Sequence, residues 1–152
     1  MNGTTTDLYS EILQNLYMGG TAEHQTIDSP QILQGIGTSA DFNCVVTLFA
    51  WAAPANWGVE ERRFGILDGP INNSQLSTIH ELADWAHAKW ISGAKVNIRC
   101  AAGLNRSGFV TALILMKDGM TSAEAIELIR QKRSKWALFN DDFVSYLLSL
   151  DE

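Results

Sequence analysis

The chain is short of several residue types, and each shortage argues against a class of protein. It has two cysteines in 152 residues, too few for a disulfide framework. Its 11 lysines and arginines are outnumbered by 17 aspartates and glutamates, and the net charge of −6 argues against binding to nucleic acid or to anionic membranes. No apolar run approaches the roughly 18 residues of a membrane span. Residues 1–10 lack the basic start and apolar core of a signal peptide, so none is expected.

The remaining composition suits one globular domain. Hydrophobic residues make up 46% of the chain and charged residues 18%, which is typical of folded proteins. Strand patterns alternate with helix patterns, which predicts an α/β domain with a mostly parallel sheet of four or five strands and helices on both faces. We expect this domain to span residues 8–150, after a loose tail over residues 1–7.

Periodicity and capping residues predict the individual elements. Strands are expected within residues 10–20, 44–50 and 62–67 and from Val96 to the residue before Cys100. Helices are expected over residues 30–37, 74–93, 107–117 and 121–133, and after Asn140. Ser74 and Asn140 are the predicted caps of two of them, and Thr121 opens a third with a capping box.

Residues 96–108 hold the most reactive grouping in the chain. A short buried strand is expected to end at Cys100 and a helix to start at Arg106, with a tight loop between them. The thiolate is the nucleophilic form of cysteine, and a helix N-terminus with a nearby cation lowers a cysteine pKa from about 8.5 to roughly 3.5–7.5. The loop has no proline, so each residue offers an N–H group, and such amides backed by a helix dipole cradle anions. The expected phosphate-binding loop is Ala101, Ala102, Gly103, Leu104, Asn105 and Arg106.

Four residues of this stretch each have a separate structural or chemical role in the expected loop. Gly103 permits a positive φ where the loop curls, and Asn105 tolerates left-handed backbone better than most residues. Arg106 supplies a planar fork that grips two phosphate oxygens. Ser107 places a hydroxyl within reach of the sulfur. The alternative is a buried structural cysteine followed by a surface arginine.

The stretch resembles the signature of the cysteine-dependent protein phosphatases, in particular the compact dual-specificity group. That signature is His-Cys, five residues, Arg, then Ser or Thr. Cys100, Gly103, Arg106 and Ser107 stand at the matching positions, whereas Arg99 replaces the histidine. In the family the histidine supports the loop and the thiolate. Arg99 substitutes for it electrostatically only if its side chain does not point out of the loop. The resemblance extends over about residues 10–148.

The resemblance also implies roles and a substrate. Cys100 is the implied nucleophile, Arg106 holds the phosphate and Ser107 helps the thiolate leave. Asp68 lies 32 residues before Cys100, where the family's mobile loop carries the general acid; without the resemblance, Asp68-Gly69-Pro70 is a turn. Implied substrates are phosphorylated proteins or peptides, with no cofactor and no metal. A thiol that must stay reduced favours the cytoplasm.

Two alternatives keep part of this hypothesis. One is a module that binds phosphoproteins without hydrolysing them, and its support is the missing histidine. The other keeps the chemistry but changes the substrate to a nucleotide, an RNA 5′-phosphate or another non-protein phosphate.

Three residues outside the loop have two interpretations each. Trp51 and Trp57 follow the strand predicted at 44–50, and they either cap the core or form a wall of the substrate pocket. Cys44 is most simply a small core residue. Its other role would be a disulfide partner that protects oxidised Cys100.

Two charged groups on the predicted helices have an ordinary explanation. His80, Asp84 and His87 share one helix face, which we expect to be solvated rather than to bind a metal. A basic cluster near the end of a later helix is expected to be a solvated helix end, the alternative being a patch that steers phosphate groups toward Arg106. The cluster consists of Arg130, Lys132, Arg133 and Lys135.

Overall fold

Seven strands are present in the computed structural model, which describes residues 8–22, 26–29 and 40–151. In chain order they are β1 (Tyr9–Leu13), β2 (Leu16–Gly19), β3 (Ile27–Asp28), β4 (Ala40–Asp41), β5 (Cys44–Thr47), β6 (Glu60–Arg63) and β7 (Val96–Arg99). Five of them form one sheet in the order β1-β2-β7-β5-β6, and β3 pairs with β4 separately. β1 is antiparallel to β2 and every other pair in the large sheet is parallel. The predicted α/β fold with a mostly parallel sheet is confirmed.

The described residues also form four helices: α1 (Leu76–Ile91), which lies between β6 and β7 in the chain, α2 (Arg106–Lys117), α3 (Ser122–Lys132) and α4 (Asp141–Ser149). The Thr121 side chain accepts from the Glu124 N–H in the predicted capping box, and Asn140 accepts from the Phe143 N–H. The cap predicted at Ser74 is wrong. A 3₁₀ turn over Asn73–Gln75 precedes α1, and the Asn72 side chain caps that turn by accepting from the Ser74 N–H.

The strand predicted at residues 62–67 is wrong in position. β6 covers Glu60–Arg63 and lies at the edge of the sheet, where charged side chains are solvated. The apolar residues that suggested a strand lie beyond it, where the Phe64 N–H donates to the Thr47 carbonyl and the Ile66 N–H to the Leu48 carbonyl. Phe64 and Ile66 pack against the core because the chain continues alongside the residues that follow β5.

The main core lies between one face of the sheet and the four described helices. β-Strand residues such as Met18, Val46 and Ile98 share it with buried residues of all four helices, and α2 is buried along most of its length. The other face is covered by a smaller cluster that includes Ile27 and Phe42. The helix predicted at residues 30–37 and the tail predicted at 1–7 lie outside the described residues. Within the described chain, no helix is long and apolar enough to cross a membrane.

Candidate active site

The carboxyl ends of three parallel strands bring the candidate residues to one edge of the sheet. β7 leads directly into Cys100, β5 leads to Trp51, and β6 leads to the segment that contains Asp68. Parallel strands end on the same side, and this is where α/β proteins place their binding sites. The Cys100 N–H donates to the Gly19 carbonyl at 3.1 Å, which fixes the start of the loop against β2.

The Cys100 thiol is buried and surrounded by donors. Its side chain is 2% exposed. The N–H groups of Gly103 and Ser107 donate to Sγ at 3.3 and 3.4 Å, and the Ser107 Oγ lies 3.5 Å from the sulfur. The sulfur therefore lies among hydrogen-bond donors that come from its own loop and from the start of α2.

The curl of the loop depends on glycine at position 103. Its φ is 78°, and a Cβ there would lie 2.5 Å from the Gly19 carbonyl carbon. The chain therefore needs glycine both for the backbone angle and for the close approach of β2. The left-handed geometry considered for Asn105 is wrong, since its φ is −96°. Asn105 is at this position because of its side-chain amide, described below.

Most backbone N–H groups of the loop have no acceptor in the described part of the protein. Within the described residues, the N–H groups of five loop residues donate to no protein atom. They are those of Ala101, Ala102, Leu104, Asn105 and Arg106. The Arg106 Nε is also buried, and it has no hydrogen-bond partner among the described residues. A buried donor without a partner, such as the Arg106 Nε, is uncommon in proteins, and N–H groups grouped in one loop before a helix are typical of anion-binding sites.

Arg106 links the loop to the segment before Asp68. Its Nη1 donates to the Ile66 carbonyl at 3.0 Å, and its guanidinium lies 5.6 Å from the centre of the Phe49 ring. A cavity of about 310 Å³ lies beside it and is lined by Trp51, Leu67 and Ile71 among others. Trp51 is 86% exposed, so it forms a wall of this cavity and does not cap the core.

Trp57 does not share that position. It is 89% exposed and is not among the residues lining the cavity beside Arg106. Neither of the two interpretations from the sequence, a cap on the core or a wall of the pocket, is supported for Trp57.

Asp68 lies at the rim of the site in contact with the loop. One carboxylate oxygen, Oδ2, accepts from the Asn105 Nδ2 at 2.9 Å, and the other, Oδ1, accepts from the Asn140 Nδ2 at 2.9 Å. Asp68 is exposed whereas Asn105 is buried. The structure therefore brings together the predicted acid and the predicted phosphate loop, 37 residues apart in the chain. The sequence did not indicate that two amides hold the carboxylate.

Arg99 points away from the thiol. Its guanidinium donates to the Thr47 Oγ1 at 2.9 Å and the Ala53 carbonyl at 2.6 Å, and it pairs with Glu61 at 3.3 Å. Burial lowers the pKa of Arg99, although Glu61 opposes the shift. Electrostatic replacement of the expected histidine is therefore not what the structure shows: Arg99 ties β7 to the segment after β5 and to β6.

Glu61 is held in its charged form by the same network. Burial acts to raise its pKa, but the hydrogen bonds from Thr47 and the Ala55 N–H, with the charges of Arg63 and Arg99, bring the pKa below its usual value. This carboxylate and Arg99 stabilise each other's charge. The amide contacts of the Cys100 sulfur come instead from Gly103 and Ser107.

The basic cluster near the end of α3 is not simply a solvated helix end. Arg133 is 5% exposed, and its side chain donates to the Gly103 and Ala102 carbonyls at 3.0 and 3.4 Å and to the Ser10 Oγ at 3.0 Å. Arg130 donates to the Ala137 and Leu138 carbonyls. Arg133 thus supports the loop from below by binding its carbonyl oxygens, which leaves the N–H groups directed elsewhere.

Cys44 is a core residue and is too far away to protect Cys100. It pairs in register with Val96, four residues before Cys100, which along a strand corresponds to about 13 Å. A disulfide needs Cα atoms within about 7 Å, so the alternative redox role is wrong. Burial, with a smaller contribution from Glu60, raises the pKa of Cys44 to about 11.

The residues considered for a metal are engaged separately. The His80 Nε2 lies 2.8 Å from the Tyr146 hydroxyl, the His87 Nε2 lies 3.0 Å from an Asp118 oxygen, and Asp84 pairs with Lys117. No group of three or more metal-ligating side chains occurs in the described parts of the chain.

Sequence comparisons identify relatives of the chain. The family model described as Dual specificity phosphatase, catalytic domain, matches residues 23–152. The chain is 31% identical over 94 residues to protein tyrosine phosphatase type IVA 2 of Mus musculus, covering 59% of this chain and 55% of that protein. It is 32% identical over 80 residues to type IVA 3 of Homo sapiens, covering 49% and 46%. The chain thus spans about half the length of the curated relatives it matches.

Solved structures share the fold over nearly the whole chain. A mouse putative dual specificity phosphatase complexed with zinc tungstate superposes with a TM-score of 0.75 at 19% identity, covering 98% of this chain and 89% of that one. Human DUSP28 gives 0.75 at 21% identity, covering 97% and 95%. Tk-PTP in the active form gives 0.72 at 23% identity, covering 97% and 100%.

Proposed function

We infer the reaction of this chain from its family, because the chain belongs to the dual specificity phosphatase catalytic domains. The proposed activity is hydrolysis of phosphate monoesters on phosphorylated proteins or peptides, through a cysteinyl-phosphate intermediate. We assign it to residues 8–150, since β1 and β2 are part of the same sheet as β7. The nucleophile must stay a free thiol, so the proposed setting is a reducing one such as the cytoplasm.

The first proposed step transfers the phosphoryl group to Cys100. The thiolate attacks phosphorus and forms an S–P bond while the ester P–O bond breaks. Asp68, protonated at this stage, gives its proton to the leaving oxygen. The loop N–H groups and Arg106 hold the three non-bridging oxygens as charge redistributes in the transition state.

The second proposed step restores the enzyme. A water molecule attacks phosphorus, Asp68 accepts its proton, and the S–P bond breaks to release inorganic phosphate. The departing thiolate is stabilised by the Gly103 and Ser107 N–H groups and by the Ser107 hydroxyl, all within 3.5 Å of Sγ. The loop and Arg106 supply the charge stabilisation throughout.

One observation carries this proposal: the nucleophile and the oxyanion donors occupy the same loop. A buried sulfur that accepts from two amides belongs to a loop with five further N–H groups and the Arg106 Nε, none of which has an acceptor among the described residues. A structural cysteine needs no such group of unpaired donors, whereas the oxygens of a phosphate group would accept hydrogen bonds from them.

The test compares wild type with Cys100→Ser on p-nitrophenyl phosphate. Wild type is expected to turn over, with inhibition by vanadate and no effect of EDTA, whereas Cys100→Ser is inactive because serine lacks a comparable anion at neutral pH. The control is Cys44→Ser, which removes the other thiol and should keep its activity. Full activity of Cys100→Ser would contradict the proposal.

Asp68→Ala tests the proposed general acid, and a substrate panel tests the proposed substrate class. Loss of the acid should lower turnover by about 10²–10⁴-fold while phosphopeptide binding persists. Phosphotyrosine, phosphoserine and phosphothreonine peptides are compared with nucleotide and RNA 5′-phosphates. Faster turnover of the non-protein substrates would contradict the proposed substrate class, and wild-type binding of phosphopeptides without turnover would identify a binding module instead.

A further inference from the structure

The Asp68 carboxylate is held by two asparagine amides from different parts of the fold. Asn105 belongs to the phosphate loop and donates from Nδ2 to Oδ2 at 2.9 Å. Asn140 is the N-cap of α4 and donates from Nδ2 to Oδ1 at 2.9 Å. Each carboxylate oxygen therefore receives one amide hydrogen bond.

The two amides are themselves fixed by hydrogen bonds. The Asn140 N–H donates to the Asn105 Oδ1 at 3.0 Å, so the two asparagines and Asp68 form a closed ring. The Asn140 Oδ1 accepts from the Phe143 N–H at 3.2 Å, and its Nδ2 also donates to the Gly69 carbonyl at 3.1 Å. These contacts define which atom of each side-chain amide is the donor.

Ile66 and Ile71 pack against the core, and between them polar contacts hold the segment that carries Asp68. Leu67 is 83% exposed and a Cβ on Gly69 would have no neighbour within 4 Å. The further attachments are the Arg106 bond to the Ile66 carbonyl and a bond from the Ile71 N–H to the Asp142 carboxylate at 3.3 Å. The phosphate loop and the start of α4 thus determine where the carboxylate lies.

We propose that Asn140 is a positioning residue which, with Asn105, orients the Asp68 carboxyl for proton transfer, an inference that rests on the proposed function. A carboxylate has about two acceptor positions on each oxygen. The two amides use one on each oxygen, so the proton that Asp68 donates and later regains must use one of the others. The ring thereby couples the direction of proton transfer to the loop that holds the phosphate.

The test replaces Asn140 with serine, which still caps a helix but cannot reach Asp68 with a donor. Two substrates are compared: phenyl phosphate, whose leaving oxygen needs the proton, and p-nitrophenyl phosphate, whose nitro group stabilises the leaving anion. Asn140→Ser should lose roughly tenfold or more in kcat/KM on phenyl phosphate and within about twofold on p-nitrophenyl phosphate. In an Asp68→Ala background the same substitution should add no further loss on phenyl phosphate.

Controls separate this role from folding and from the proposed function. Thr121→Ala removes the cap of α3, away from Asp68, and should lower both activities equally if it lowers them at all. Equal losses on the two substrates in Asn140→Ser, or a further full loss in the Asp68→Ala background, would overturn the positioning role alone. Full turnover by Cys100→Ser in the same assay would overturn the proposed function, and no turnover by wild type would overturn both.

Discussion

Arg106→Lys gives a direct measure of the guanidinium in the loop. The substitution keeps a positive charge but removes the planar fork. In the structure that fork divides its donors: Nη1 binds the Ile66 carbonyl at 3.0 Å, and Nε is buried with no acceptor among the described residues. A lysine ammonium has one nitrogen and does not reach both positions at once in this geometry.

The expected size of the effect follows from two hydrogen bonds. Each hydrogen bond made by a charged group contributes about 1.5–3 kcal/mol, so losing one to the phosphate and one to Ile66 costs about 3–6 kcal/mol if both act in the transition state. At about 1.4 kcal/mol per factor of ten, kcat/KM should fall by about 10²–10⁴-fold. Part of the loss should appear as weaker inhibition by vanadate, since Nε would bind that anion too.

The assay is steady-state hydrolysis of p-nitrophenyl phosphate, with thermal unfolding as a check on folding. Arg62→Lys is the matched control, because Arg62 lies over the Trp85 ring away from the loop and should tolerate the exchange. A folded Arg106→Lys variant with kcat/KM within threefold of wild type would show that the guanidinium fork does not bind the phosphate.

Two further predictions concern the loop glycine and the second cysteine. Gly103→Ala should lower the free energy of unfolding by more than Gly119→Ala. Both glycines have a positive φ, which costs about 1–2 kcal/mol for alanine. A Cβ at Gly103 would in addition lie 2.5 Å from Gly19, whereas a Cβ at Gly119 would meet nothing within 4 Å. Equal losses in urea unfolding would contradict this. The pKa of Cys44 is raised from 9.0 to about 11, so the native thiol keeps its proton longer than the unfolded one, and its stabilising contribution is complete below pH 9 and declines as the pH rises toward 11. Wild type should therefore lose up to about 1.4 kcal/mol per pH unit more than Cys44→Ala over that range, and parallel pH curves in urea unfolding would refute the shift.

The geometry of the loop that follows Cys100 could be predicted because its determinants are contiguous. A strand, a glycine that must curl and a helix start occur within residues 96–108, so local rules suffice for Cys100, Gly103 and Arg106. Asp68 needed the resemblance to a family, since nothing local distinguishes Asp-Gly-Pro from a turn.

The supporting residues could not be predicted, because their roles arise from contacts distant in sequence. Asn140 was expected as a helix cap, which it is, but its bond to Asp68 spans 72 residues. Arg133 sits at the end of α3 among other basic residues, and its burial beneath Gly103 depends on how α3 packs against β1. Arg99 stands where the family has histidine. The partners that direct its side chain away from Cys100 come from the segment after β5 and from β6.

The charged composition of β6 also affects the behaviour of the protein in solution. An edge strand with free N–H and C=O groups invites pairing with the edge of another molecule, and natural proteins prevent this with charge. Here Glu60, Arg62 and Arg63 place charges along that edge, while Glu61 turns inward to Arg99. The charges of Glu60, Arg62 and Arg63, which interrupt the hydrophobic pattern expected of a strand, therefore disfavour pairing of this edge with another molecule and so disfavour aggregation.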